Sequence, residues 1–212
     1  AVYNGNYRSA GATVYANFNY QLYGGTAGTT TGGDGLTFFL YDATKTFGVG
    51  AYGGSMGYAQ KTSAGTGGVS GGSDINGMNG GYLAFGLDAY GNFSSGSEGR
   101  VGGYNGATSP VTESIGVRGP GQGLNGYAYL GGSGTLDVPL DSATRPTATN
   151  TVQILLSATN QLTVTLQQGG TSPQTVLQMD LSGYARPDLL GFGFTAGTGG
   201  ATDFININSL NI

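Results

Sequence analysis

Forty-four of the 212 residues are glycine, and they fall between short runs of Tyr, Phe, Leu, Ile and Val. No segment carries the three-and-four apolar spacing of a helix, whereas several alternate at every second residue. Residues 12–23 place Val14, Ala16, Phe18, Tyr20 and Leu22 on one side of a strand. Residues 35–41, G-L-T-F-F-L-Y, are almost continuously apolar and read as a strand buried on both faces. Further strands are expected at 53–60, 82–88, 113–119, 127–130, 151–158, 161–167, 176–181, 190–196 and 204–212. The pair at 151–158 and 161–167 forms a hairpin around Thr159 and Asn160. About a dozen short strands joined by Gly-rich turns describe an all-β, antiparallel two-sheet sandwich, and the length suits one domain over residues 1–212.

Composition removes many functions. There is no Cys and no His, which excludes thiol catalysis, disulfides, imidazole bases and the common zinc sites. Charged residues make up only 8% with a net charge of −4, so nucleic acid finds no basic surface to bind. No apolar run approaches the roughly 20 residues of a membrane helix, so membrane insertion is not expected. A Lys-poor surface rich in Ser, Thr, Asn and Gly points to an extracellular or cell-surface setting.

The stretch 82–98, Y-L-A-F-G-L-D-A-Y-G-N-F-S-S-G-S-E, begins as a buried strand and ends as a polar loop. Asp88, the Tyr90 carbonyl and Asn92 recur at every second position, as oxygen ligands of a hard cation such as calcium do. Asp88 and Asn92 are equally ordinary turn formers beside Gly91. Asp34 stands at the mouth of the apolar strand 35–41, where a carboxylate either caps the strand or faces a ligand. Loops 62–81 and 94–112 are long and polar, as functional loops often are.

Six segments in order resemble the legume-type (L-type) lectins, in particular lectin-like domains of bacterial surface and adhesin proteins. G-G-D-G-L-T-F-F-L (32–40) is similar to the family's A-D-G-L-x-F-F-L, G-G-S-M-G-Y (53–58) to G-G-x-L-G, and L-A-F-G-L-D-A-Y-G-N (83–92) to V-A-V-E-F-D-T-Y-x-N. S-I-G-V (114–117) resembles H-I-G-I, the hairpin 151–168 resembles V-x-I-x-Y-x-x-x-x-x-x-L-x-V-x-L, and G-F-G-F-T-A-G-T-G (191–199) resembles V-G-F-S-A-A-T-G. The resemblance implies a concanavalin-like jelly roll within a longer surface protein and a carbohydrate ligand. Asp34, the Gly54 N–H and Asn92 would hold the sugar while Tyr90 stacks on it, with Phe93 a second stacking candidate and Thr198 in the fourth site loop. It also implies a cis peptide at Gly33–Asp34.

For metals the resemblance implies one calcium site at most, with Asp88, Tyr90, Asn92 and Glu98 as ligands, Glu98 standing one residue beyond the usual acidic position. The neighbouring transition-metal site is not expected, because Gly86 and Ser114 replace its Glu and His. The resemblance implies an opening strand or strands upstream of the segment at Ala1, so either upstream sequence was removed or another molecule covers the apolar edge 204–212, a site for strand-mediated self-association. That edge supports a rival function, a structural or assembly subunit with a vestigial sugar site. A glycosidase is disfavoured, since neither Glu98 nor Glu113 lies in an E-x-D-x-E strand.

Overall fold

The computed structural model describes residues 1–25, 32–63 and 72–212. Among the described residues fourteen strands form, in the order β1 (Val2–Arg8), β2 (Val14–Tyr23), β3 (Gly35–Asp42), β4 (Gly81–Asp88), β5 (Ser114–Arg118), β6 (Gly121–Gln122) and β7 (Asn125–Gly126). They continue with β8 (Tyr129–Thr135), β9 (Asp141–Ser142), β10 (Asn150–Leu156), β11 (Gln161–Gln167), β12 (Gln174–Asp180), β13 (Leu189–Gly197) and β14 (Phe204–Asn211). Among the described residues there is no α-helix, only three short 3-10 turns.

The strands make two sheets. One runs β1-β13-β3-β4-β5-β8 with β6 and β7 beside β4, and the other runs β12-β11-β10-β2-β14 with the short β9 parallel to β2. The all-β sandwich is therefore as expected. Alternation decides what lies between the sheets: Phe18, Tyr20 and Leu22 of β2 meet Phe38 and Leu40 of β3, Phe85 and Leu87 of β4, and Val152 and Ile154 of β10.

The opposite face of β3 and β4 is also dry. Phe39, Tyr41 and Ala84 pack under a second cluster made from loops, with Met56, Tyr58, Met78, Phe93 and Tyr127. This explains why residues 35–41 are almost continuously apolar, and it anchors the loops that surround the candidate site to one sheet.

Several expectations need correction. Residues 53–60 are not a strand: a 3-10 turn spans Gly53–Ser55, and Met56 has φ +47, a left-handed conformation no strand accommodates. The strand expected at 127–130 is shifted, because backbone pairing of β8 with β5 runs on through Gly131 to Thr135. Val2–Arg8, given no strand by its local pattern, pairs with β13 at the edge of the larger sheet. Every described peptide is trans, Gly33–Asp34 included, and the turn into β3 is made by Gly35 at φ +130. The expected edge exists: β14 is the outer strand of its sheet and pairs with β2.

Candidate functional site

Register assembles the site. Gly35 lies opposite Asp88 of β4 and opposite Gly197 of β13, so the start of β3 is flanked by two strand ends. Three loops therefore leave the sheet together, beginning with Asp34, with 89–92 and with 198–200. The approach is too close for any side chain at Gly35, where a Cβ would stand 2.1 Å from the Leu87 carbonyl oxygen. Between the loops lies an open cleft of about 330 Å³ lined by Gly32, Gly33, Asp34, Tyr90, Asn92 and residues 199–201.

Asp34 is 4% exposed. Its Oδ1 accepts a hydrogen bond from Asn92 Nδ2 at 3.3 Å, while its buried Oδ2 has no hydrogen-bond partner among the described residues. Burial pushes its carboxyl above the ordinary range, against the Asn92 hydrogen bond; Glu98 adds to the rise, and Arg100 and Lys61 oppose it. Tyr90 is 41% exposed at the rim, and Asn92 is half-buried. Gly54 is buried against Asn92, since a Cβ there would come within 2.3 Å of Asn92 Cβ. Thr198 is exposed, and its Cγ2 lies near Gly33. Four expected sugar-site residues, Asp34, Gly54, Tyr90 and Asn92, thus meet at one place, with Thr198 beside it.

Phe93 does not join them. It is fully buried in the second cluster, packed over Gly86 and Met56, so it has no face to offer a ligand. The two carboxylates of the expected calcium set are engaged by protein. Asp88 is fully buried, with Oδ1 accepting the Gly91 N–H at 2.9 Å and Oδ2 the Ser94 N–H at 2.6 Å. Burial raises its carboxyl to about 7, while those amides hold it down. Glu98 bonds to Lys61 Nζ at 2.8 Å and to Arg100 Nη1 at 2.5 Å. Despite its burial, these two cations keep its carboxyl below the ordinary range. Among the described residues no cluster of three acidic side chains surrounds a common point. The residues as placed do not fit a calcium ion at Asp88 and Glu98: one carboxylate is enclosed by amide donors, and the other already neutralises two cations.

The cations were not anticipated. Arg100 is buried, and its guanidinium reaches Ser55 Oγ and Ser97 Oγ as well as Glu98. Lys61 lies over the ring of Tyr52, which is 60% exposed beside Gly53. The available signal was a pair of charges in polar segments of a chain that has only seven cationic side chains.

No family model matches the sequence, and no curated protein matches it. Solved structures do. The exoplasmic/lumenal domain of VIP36 in its Ca2+/Man-bound form aligns over 97% of this chain and 69% of its own, with 16% identity and a TM-score of 0.58. Peanut lectin with a 9mer peptide aligns over 99% of this chain and 76% of its own, at 16% identity and TM-score 0.59. The carbohydrate recognition domain of Emp46p in metal-free form aligns over 99% and 74%, at 14% identity and TM-score 0.58. A sandwich with this strand order, matched over nearly its whole length by three such domains, has the L-type lectin fold.

Proposed function

We propose that the chain is a carbohydrate-binding domain whose cleft takes a sugar through Asp34, Asn92, Gly54 and Tyr90. The observation that carries this is Asp34 Oδ2, a buried carboxylate oxygen without a hydrogen-bond partner among the described residues, at the wall of an open cleft. Such an oxygen calls for a donor from a ligand, and a sugar hydroxyl supplies one. The hydrogen bond from Asn92 holds the pair in a fixed orientation, and the exposed ring of Tyr90 gives the sugar's C–H face an apolar surface. Thr198 and the backbone after it would complete the wall.

Two neighbours bear on this reading: one is VIP36 in its Ca2+/Man-bound form, and another is the carbohydrate recognition domain of Emp46p. Cleavage of a glycosidic bond needs two flanking carboxylates, and among the described residues Asp34 is the one carboxylate lining the cleft. The proposed role is binding rather than cleavage, in keeping with lectin neighbours. No described helix is long and apolar enough to cross a membrane. The exoplasmic/lumenal neighbour supports placement outside the cytoplasm, and the setting in an exported bacterial surface protein or adhesin rests on the resemblance of the Gly-rich segments alone. The test is thermal unfolding against a panel of mannose, glucose, galactose and N-acetylglucosamine. A sugar that binds the folded state raises Tm by mass action, and the rise is expected to vanish in Asp34→Asn and Tyr90→Ala.

One observation favours a second role, assembly. The outer strand β14 exposes Phe204 at 65% and Leu210 at 40%, an apolar edge with backbone groups free to pair. Self-association through this edge predicts oligomers that grow with protein concentration in sedimentation runs and disappear in Leu210→Lys. A single monomeric boundary at every concentration would remove it.

A further inference from the structure

We infer that the loop following Asn92 is organised by a buried guanidinium, Arg118, in place of a metal ion. Arg118 ends β5 and is 0% exposed. Its Nε donates to the Phe93 carbonyl at 2.9 Å, and its Nη1 to the carbonyls of Val101 at 3.0 Å and Tyr127 at 2.8 Å. Its Nη2 donates to the carbonyls of Ser95 at 2.9 Å and Gly102 at 3.2 Å. A guanidinium has five N–H donors, and all five are used. Four of the acceptors belong to residues 93–102, so one side chain draws both ends of that loop to a single point directly after Asn92.

Carbonyl oxygens converging on a buried positive charge are how proteins hold hard cations. Here the charge is covalently attached to β5 and shielded by the rings of Phe93 and Tyr129, 5.3 and 5.6 Å from Arg118 Cζ. Among the described residues no carboxylate forms an ion pair with it. Arg100 extends the arrangement. Its Nε reaches the Ser95 carbonyl at 3.4 Å and its Nη1 reaches Ser55 Oγ at 3.2 Å, which ties the same loop to the turn carrying Gly54. Both carboxylates in the expected calcium set are meanwhile satisfied, Asp88 by the Gly91 and Ser94 amides and Glu98 by Lys61 and Arg100. A calcium ion at Glu98 would have to displace two resident cations. The consequence for ligand binding, a cleft that works without calcium, rests on the sugar-site reading above, whereas the fixation of the loop by Arg118 does not.

The experiment uses the whole chain without any sugar, so a failure to bind glycans leaves it unaffected. Calcium is titrated calorimetrically to millimolar concentration, Tm is compared in calcium and in EGTA, and hydrogen exchange is followed peptide by peptide. Expected are no binding heat, the same Tm in both, and slow exchange over 93–102 that calcium does not change. Arg118→Lys keeps the charge but has three donors on a flexible stem, and is expected to speed exchange over 93–102 by about tenfold or more while β3 and β13 stay protected. If that variant does not fold, Arg100→Gln leaves Arg118 intact and is expected to speed exchange at 95–100 alone. A calcium-dependent rise in Tm that is lost in Asp88→Asn would overturn the inference. So would wild-type protection of 93–102 in Arg118→Lys, or loss of that protection in EGTA.

Discussion

Asp34 is the residue at which stability and binding pull in opposite directions. Its carboxyl is raised by burial, so the folded state favours the neutral form and the charge needed to accept a sugar hydroxyl is held at a cost. The isosteric Asp34→Asn change removes that charge, which predicts that the free variant melts at the wild-type temperature or a few degrees above it, about 1 kcal/mol, while its sugar response disappears. A variant that lost both would assign Asp34 to the fold. Phe93 shows the opposite error at this scale. It follows Tyr90 and Asn92 in sequence and offers the same chemistry as Tyr90, but its side chain turns into the second core, where Met56 and Gly86 enclose it. Aromatic character was visible in the sequence; the side to which the ring turns was not.

At the scale of elements, the site depends on how closely the turn at Gly53–Ser55 approaches the loop of Asn92. A Cβ on residue 54 would lie 2.3 Å from Asn92 Cβ and 3.2 Å from Arg100 Nη1, and both belong to the same restrained loop. Gly54→Ala is therefore expected to displace Asn92 from Asp34 and to weaken sugar binding by about tenfold or more. Stability should fall by about 1–3 kcal/mol, since the sandwich core lies elsewhere. A binding curve unchanged by this variant would show that Asn92 does not hold the ligand. The same element marks a limit of local pattern. S-M-G-Y-A-Q alternates like a strand, yet Met56 at φ +47 turns the chain, a backbone fact that alternation does not encode. The cleft strand 35–41 and the end of β4 were legible because burial on both faces leaves a continuous apolar run that stops where the loops begin. Arg118 was not, because S-I-G-V-R reads as a strand with a charge at its solvent end. Its burial depends on residues 93–102 folding back over it, a contact with no local signature.

Across the whole molecule, charge is scarce and what exists is put to structural use. Arg186 repeats the behaviour of Arg118 at another junction, donating to the carbonyls of Ser9, Ala12 and Ser157, so guanidinium groups tie turns together in a chain without disulfides. The acids have a different consequence. Asp203 is raised to about 6 by burial, and the charges of Asp141 and Asp34 add to the rise against a Gly33 backbone hydrogen bond. Burial likewise raises Glu113, whose Oε2 accepts the Leu140 N–H at 2.7 Å, and Asp34 is raised as described. A carboxyl raised in the folded state binds its proton more tightly there than in the unfolded chain, so protonation favours folding. Its stabilising effect is lost as pH climbs from the ordinary carboxyl range through the raised value. Glu98 and Asp180, which are lowered, act in the reverse sense, and their contribution is lost only as pH falls below the ordinary range. Together these place the stability maximum on the mildly acidic side, near about pH 5, rather than at neutrality. Melting temperature is expected to fall by about 3 °C or more between about pH 5 and pH 8, a figure already reduced for the partial exposure of Asp203 and Glu113. Asp203→Asn should flatten part of that slope and raise Tm at the upper end of the range. A melting profile that rises toward neutral pH would mean that these carboxylates are stabilised as anions in the folded state, and would overturn the assignment of the maximum to mildly acidic pH.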